Sequence, residues 1–273
     1  MHVPFSADDL TFTPLEDLPP GQRRNPYWDV ERLCRGPEPV PDWLVTDRAA
    51  IDIDLGVLKT GKEADCFVLE RAVPGGASCL LASKRYRGEQ HRQFHRSASY
   101  AEGRRIRGTR ETRAAAKGTD FGRAVQSGQW VHAEWAALKQ LWLAGVPVPY
   151  PVMTLGNEIV MELITHNGEP APRLVNTRPE PTLLPELYDQ LREAMTALAA
   201  RGWAHGDLSP YNVLLAGERV VLIDLPQIVD VVANPQGMDF LLRDCRTVTT
   251  WFQRRGLDVD EGELFAHLVG FVC

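Results

Sequence analysis

No run of about 18 consecutive apolar residues occurs in the 273 residues, so the sequence offers no membrane-spanning helix. Cysteine is sparse and scattered. Cys34, Cys66, Cys79, Cys245 and Cys273 form no C-x-x-C pair and stand at no zinc-ligand spacing with a histidine, which argues against a zinc ribbon or a dithiol redox motif. An odd, dispersed set of thiols suits a reducing cytoplasm. The N-terminal MHVPFSADDLTFTPLED has no apolar stretch and reads as no secretory signal. A G-x-x-x-x-G-K-[ST] loop is missing, which disfavours a Walker-type NTPase. Positive charge is also not in excess: the formal net charge is −6, so the chain as a whole is no basic nucleic-acid binder. No internal repeat at solenoid spacing is present.

The composition that remains is that of a folded protein, with 44% hydrophobic and 24% charged residues, which excludes a disordered chain. The length suits one large domain or two lobes enclosing a cleft. Residues 1–50 are rich in proline and charge and read as an N-terminal extension, with Trp28, Leu33, Trp43 and Leu44 anchoring a short helix. LGVLKTGKEADCFVLERA then reads as strand, tight loop, strand, PGG at 74–76 as a turn, and ASCLLASKRYR as a third strand. Residues 87–128 lack a clean period and read as a long flexible insertion, with room for some helix within it. It is basic: from Lys84 to Arg123 there are twelve Lys/Arg against four Asp/Glu. SGQWVHAEWAALKQLWLAG has the apolar spacing of a helix that Gly145 stops. VPVPYPVMTLGNEIVMELI supplies two short strands. The rest is mostly helical apart from a hairpin-like segment at 203–227. Strands first and helices second place a cleft at the join, where ligands commonly bind. The boundaries expected are 51–161 for the strand-rich lobe and 162–273 for the helical one.

The strongest chemical signal is HGDLSPYNVLL at 205–215 followed by LIDLPQ at 222–227. Asp207 and Asn212 are five residues apart, and Asp224 follows the apolar run Val220 to Ile223. Phosphoryl transfer asks the protein for metal ions on the phosphate oxygens and a carboxylate to orient the nucleophile. Magnesium takes oxygen ligands and keeps waters, so Asn212 and Asp224 with phosphates suffice. The spacing D-x-x-x-x-N with a later aspartate is that of protein kinases. As strand caps, Asp207 and Asp224 would be ordinary turn residues; the two motifs with a hairpin between them argue otherwise. Lys84 ends the third strand, where a kinase lysine holds the α/β-phosphates and pairs with a helix glutamate. Glu134 sits in the following helix. Alone, Lys84 would be a solvated surface lysine and Glu134 an exposed helix residue. TGKEADCFV at 60–68 occupies the place of a phosphate loop, although one glycine also suits a plain hairpin turn. His205 reads as a structural brace for the loop.

On TGKEAD at 60–65, A-x-K-x-Y at 82–86, W-x-x-x-E at 130–134, HGDLSPYN at 205–212 and LIDLPQ at 222–227, the chain resembles the RIO family of atypical serine/threonine protein kinases. The resemblance covers about residues 45–260. It implies an α+β, protein-kinase-like two-lobed fold: a small antiparallel-sheet N-lobe with a helix, and a mostly helical C-lobe. It implies ATP and Mg2+ (or Mn2+) as cofactors, with Asp207 as catalytic carboxylate, Asn212 and Asp224 as metal ligands, and Asp224 as a candidate for transient aspartyl-phosphate. Lys84 would bind phosphates and pair with Glu134. Thr60, Gly61, Lys62 and Glu63 would line the triphosphate. Backbone groups of Glu162 and Ile164 would face adenine, and Val68, Ala82, Leu214 and Ile223 would sandwich it. The partners implied are ATP/ADP and a protein substrate. The basic insertion reads by default as a solvated loop; Ser97, Ser99, Thr109 and its arginines also suit autophosphorylation, docking, or a phosphate-rich partner such as RNA or a ribosome-related assembly. Two rival functions remain. An aminoglycoside- or choline-type phosphotransferase shares H-G-D-x-x-x-x-N but usually needs a larger helical region after it. A nucleotide-switched assembly factor with little turnover would share every residue named.

Overall fold

The alternation in VLKTGKEADCFVLE and SCLLASKRY builds strands with one face toward the core. In the computed structural model, which describes residues 18–87, 120–226 and 228–272, these become β2 (Ile51–Thr60), β3 (Ala64–Ala72) and β4 (Ser78–Tyr86). They belong to a six-stranded antiparallel sheet ordered β1-β2-β3-β4-β6-β5, with β1 (Gln22–Arg24), β5 (Pro151–Leu155) and β6 (Glu158–Glu162) completing it. Gly156, at φ 60°, makes the left-handed turn between β5 and β6 that a side chain would resist. Most of the basic insertion, residues 88–119, lies outside the described residues.

Two expectations are corrected. Among described residues 18–50 there is no α-helix: the segment contributes β1, paired to β2 at Arg24↔Ile51, and a single 3-10 turn at Arg32–Cys34. Leu44 is buried there with Tyr27 and Val30, but Leu33 is 77% exposed and serves through its carbonyl, which accepts from Trp135 Nε1 at 3.1 Å. The following helix, α1 (Asp120–Leu143), begins seven residues before the expected Ser127. Its Val131, Trp135, Leu138 and Leu141 are buried with Tyr86 and Ile159 of the sheet.

The sheet carries one fully buried ion pair: Arg71 donates to Asp52 through Nε at 2.6 Å and Nη2 at 3.1 Å. A charge so placed requires a partner, and register Asp52↔Arg71 supplies it.

The second half comprises the small hairpin β7 (Thr165–His166) and β8 (Glu169–Pro170), α2 (Leu184–Ala199), β9 (Trp203–Ala204) paired with β12 (Val229–Asp230), the hairpin β10 (Val213–Ala216) with β11 (Arg219–Leu222), α3 (Gly237–Gln253) and α4 (Glu261–Val269). Pro185 in the first turn of α2 and the left-handed Gly202 just past its end are ordinary helix punctuation. Leu184, Leu187, Leu191, Met195 and Leu198 form its buried stripe. One core runs from Tyr86, Ile159 and Met161 through α1 to α2, the β10–β11 hairpin and α3. This places the β10–β11 hairpin beneath the sheet face that carries Lys84, and gives the sheet-plus-helix and mostly helical halves that the sequence implied.

Candidate active site

Residues opposite one another in an antiparallel ladder project from the same face. Cys66 faces Lys84 and Val68 faces Ala82 across β3 and β4, while Ala82 faces Met161 and Leu81 faces Glu162 across β4 and β6. Val68, Ala82 and Lys84 therefore share one face. Lys84 shows where that face looks: its Nζ donates to Glu134 Oε1 of α1 at 2.7 Å and to Asp224 Oδ1 at 2.8 Å. Thr60 ends β2, and Gly61, Lys62 and Glu63 form the tight connection to β3, closed by Gly61 N–H to Ala64 O at 3.0 Å. A Cβ on Gly61 would meet Ala64 O at 2.8 Å, so the position requires glycine. Lys62 is exposed there.

Below the sheet, the segment from His205 to Asn212 is fastened from three directions. Asp244, buried in α3, accepts from Gly206 N–H at 2.8 Å and Leu208 N–H at 2.9 Å, clasping the residues on either side of Asp207. Arg243 donates to the Gly206 carbonyl. His205 Nε2–H donates to Ile223 O at 3.1 Å, and Ile223 N–H donates to Asn212 O at 3.0 Å, which locks the loop to the strand leading into Asp224. Asn212 Nδ2 donates to Asp207 O at 2.9 Å and reaches Asp207 Oδ2 at 3.4 Å. Asp224 lies at φ 66°, a left-handed conformation uncommon for a residue with a side chain. Such a residue costs on the order of 1 kcal/mol and persists where its surroundings impose it, which is common at functional sites.

The electrostatics follow from these contacts. The Lys84 ammonium holds the Asp224 carboxyl below its ordinary range, against the opposing effect of burial. Burial disfavours the charge on Lys84 itself, but Asp224 and Glu134 outweigh it and raise its pKa well above the usual value. Tyr86 donates its hydroxyl to Glu134 Oε2, and burial together with that carboxylate raises the phenol well above its ordinary pKa. Burial raises the Asp244 carboxyl, opposed by His205 and the two amides.

Of the residues named from the sequence, Lys84, Glu134 and Asp224 are in direct contact, and Asp207 and Asn212 are hydrogen-bonded to each other. Val68 and Ala82 line the face above them, and Leu214 packs with Ile164 below, while Ile223 enters Asp224 from the hairpin. In the segment joining the two halves, Glu162 donates its N–H to Tyr150 O at 2.9 Å and Ile164 accepts from Ala171 N–H at 2.9 Å. The buried Ile164 N–H has no main-chain acceptor among the described residues. Sequence reasoning missed Asp244, whose signal was a carboxylate inside the apolar stripe Phe240, Leu241, Cys245, Val248 of α3. It gave no role to Tyr86, Cys66, Lys59 or Arg173.

A family profile described as the RIO domain matches residues 80–264. A Rio1-type serine/threonine-protein kinase of Haloferax volcanii is 36% identical over 220 residues, covering 81% of this chain and 70% of that protein. The chain belongs to the RIO family. Human serine/threonine-protein kinase RIO3 is 35% identical over 144 residues, 52% of this chain, and the match spans 28% of the human protein. Among solved structures, a complex of the Chaetomium thermophilum Rio2 kinase with ADP/Mg2+ and phosphoaspartate superposes with a TM-score of 0.56 at 22% identity, covering 80% of this chain and 62% of that one, which supports the kinase-like fold. RIO family membership raises the question of whether this chain's groups suit a magnesium nucleotide. They do: Asn212 has its Nδ2 occupied by Asp207, leaving Oδ1 available, and the Asp224 side chain, ionised and 42% exposed, adds a hard oxygen ligand.

Proposed function

We propose that this protein is an ATP- and magnesium-dependent RIO-type serine/threonine protein kinase, with the sheet half at 51–161 and the helical half at 162–273 enclosing the nucleotide and residues 1–50 as an extension. The observation that carries this reading is the Lys84 ammonium, held at 2.7 Å from Glu134 and 2.8 Å from Asp224, because it joins the sheet to the hairpin that presents Asn212 and follows Asp207.

In this reading Lys84 orients the α/β-phosphates and Glu134, fixed by Tyr86, holds Lys84 in place. The Thr60–Glu63 connection lies against the phosphate tail. Adenine stacks between Val68 and Ala82 above and Leu214 and Ile223 below, and the Ile164 N–H and Glu162 carbonyl meet its edge. Asn212 and Asp224 would hold magnesium, which when bound neutralises charge on the phosphates. Asp207 accepts the proton of the attacking hydroxyl as its oxygen forms a bond to the γ-phosphorus and the bond to the bridging oxygen of ADP breaks. Rigid clasping of Gly206 and Leu208 by Asp244 keeps the Asp207 carboxylate aimed, a positional effect on which such catalysis depends.

A second acceptor is favoured by a specific observation: Asp224 is ionised and part-exposed, and the related Rio2 kinase was solved as a phosphoaspartate complex. Incubation of the pure protein with γ-labelled ATP and magnesium tests both. Acid-stable label on serine or threonine supports the kinase reading. Label that hydroxylamine releases assigns the acceptor to a carboxylate. No label and no released phosphate above an Asp207→Asn control refutes the enzymatic reading and favours a nucleotide-switched assembly factor.

A further inference from the structure

Two cations of the cleft take no part in the contacts described. Lys59 of β2 stands opposite Cys66, which stands opposite Lys84. Lys84 reaches down to Asp224, so this whole row, Lys59 included, projects from the cleft face. Arg173 comes from the opposite wall. Its main chain bridges Leu214 of β10, and its neighbour in the next turn, Val175, donates N–H to Pro210 O of the catalytic loop at 3.0 Å.

Arg173 is half-buried, whereas Lys59 is exposed, and both feel the charges around Asp224. Burial, and then the positive charge of Arg173, disfavour the charged form of Lys59; Lys84 adds to that and Asp224 opposes it. Burial likewise disfavours charge on the half-buried Arg173, with Asp224 and Cys66 opposing it. The carboxylate both cations feel is already engaged by Lys84 at 2.8 Å. Among the described residues neither Lys59 nor Arg173 has an ion pair or a side-chain hydrogen bond of its own. A half-buried cation without a dedicated counter-ion, as Arg173 is, is unfavourable unless an anion joins it, and Lys59 stands on the Lys84 face where it can share that anion.

We infer that Lys59 and Arg173 form a clamp for the phosphate tail of the nucleotide, one from the roof of the cleft and one from its floor. The inference rests on the reading of the site as a nucleotide site and deepens it. Charge balance gives the reason. Lys84 is already neutralised by Glu134 and Asp224, and a magnesium ion compensates only part of a triphosphate, so the tail needs further positive charge. Lys59 directly precedes the Thr60–Gly61 loop and shares the Lys84 row, which places it over phosphates rather than over adenine. Arg173 adds a planar fork suited to two phosphate oxygens.

The test is equilibrium binding of ATP, ADP, AMP and adenosine to the full chain with magnesium, by titration calorimetry, for wild type, Lys59→Ala, Arg173→Met and Arg173→Lys. Each of the first two variants is expected to lose about tenfold in ATP affinity, the loss typical of one charge-assisted contact, while adenosine affinity stays unchanged and the nucleotide-free Tm does not fall. Arg173→Lys should recover part of the loss. Wild-type ATP affinity in both Lys59→Ala and Arg173→Met overturns the clamp. So does a raised KM for an acceptor peptide with unchanged ATP affinity, which would assign the pair to the acceptor. A wild-type protein that binds no nucleotide defeats the parent reading, and this one with it, before any variant is compared.

Discussion

Replacing Lys84 by methionine isolates the energetics at the centre of this site. Methionine keeps the bulk of the stem and removes the ammonium. Glu134, whose side chain is 2% exposed, would keep only the Tyr86 hydroxyl; Asp224, at 42% exposed, would rehydrate. The cost therefore falls on Glu134, as an uncompensated buried charge. Breaking a buried pair from one side typically costs 3–5 kcal/mol, and with one of the two carboxylates free to rehydrate the expected loss is about 3 kcal/mol. For a chain of this size that is roughly 6–12 °C in Tm. Adding Glu134→Gln removes the stranded charge, so the double variant should be more stable than Lys84→Met by about 1–2 kcal/mol. The pH dependence has a definite sign. Asp224 is held below its ordinary pKa, so its contribution is present above the ordinary aspartate range and is lost as pH falls through the depressed value. Lys84 is held above its ordinary pKa, so its contribution is present below the ordinary lysine range and disappears only as pH rises through the elevated value. The stability gap between wild type and Lys84→Met should accordingly be widest near neutrality and narrow in acid. Urea denaturation without nucleotide measures all of this. A double variant no more stable than the single one, or a gap that stays constant down to strongly acidic pH, would refute the argument.

Asp207→Asn should leave ATP affinity within a few-fold of wild type and lower phosphoryl transfer by about 10²–10⁴-fold; unimpaired turnover under single-turnover conditions removes Asp207 from the reaction. Asp244→Asn points an amide N–H at one of the Gly206 and Leu208 donors, so it should cost about 1–3 kcal/mol in stability and lower kcat with little change in KM for ATP. A variant that loses stability while keeping full kcat would show that the clasp is structural only. Arg71→Met strands the fully buried Asp52, with Arg23 at 3.5 Å as a partial substitute, and should destabilise by about 3–5 kcal/mol; Arg71→Met with Asp52→Leu should recover most of it in the same denaturation assay.

The parts of this molecule that were legible in the sequence are those encoded within one short segment. Alternation around Lys84 gives its strand, and the interval from Asp207 to Asn212 gives the loop, because each depends on neighbours along the chain. The missed elements depend on distant partners. Gln22–Arg24 has no alternation and becomes a strand only because β2 offers an open edge. The first turns of α1 run through DFGRAVQ, where Gly122, a poor helix former, hides the helix start although Phe121, Ala124 and Val125 have helical spacing. Asp244 could have been suspected as the one carboxylate in an apolar stripe, but its role required knowing that the Gly206 and Leu208 amides lie above it. Lys59 and Arg173 give no local signal at all, since what distinguishes them is the charge each meets across the cleft.

The His205–Asn212 loop and the strand before Asp224 are bound to each other through His205, Ile223 and Asn212 and to α3 through Asp244, so they form one floor. Glu134 and Tyr86 likewise fix Lys84 within the roof. The Lys84–Asp224 contact spans floor and roof and is also the contact that a magnesium nucleotide must share, since Asp224 is the proposed metal ligand and Lys84 the proposed phosphate ligand. A nucleotide entering the cleft therefore does not assemble either half. In the proposed reading the site would give up the Lys84–Asp224 ion pair, freeing Lys84 for phosphate and Asp224 for magnesium, on two surfaces whose side chains are already held by their own hydrogen bonds. Electrostatic catalysis relies on such preorganisation, so in the proposed reading the residues that hold Lys84 and Asp207 in place should lower turnover when replaced even though they touch no substrate.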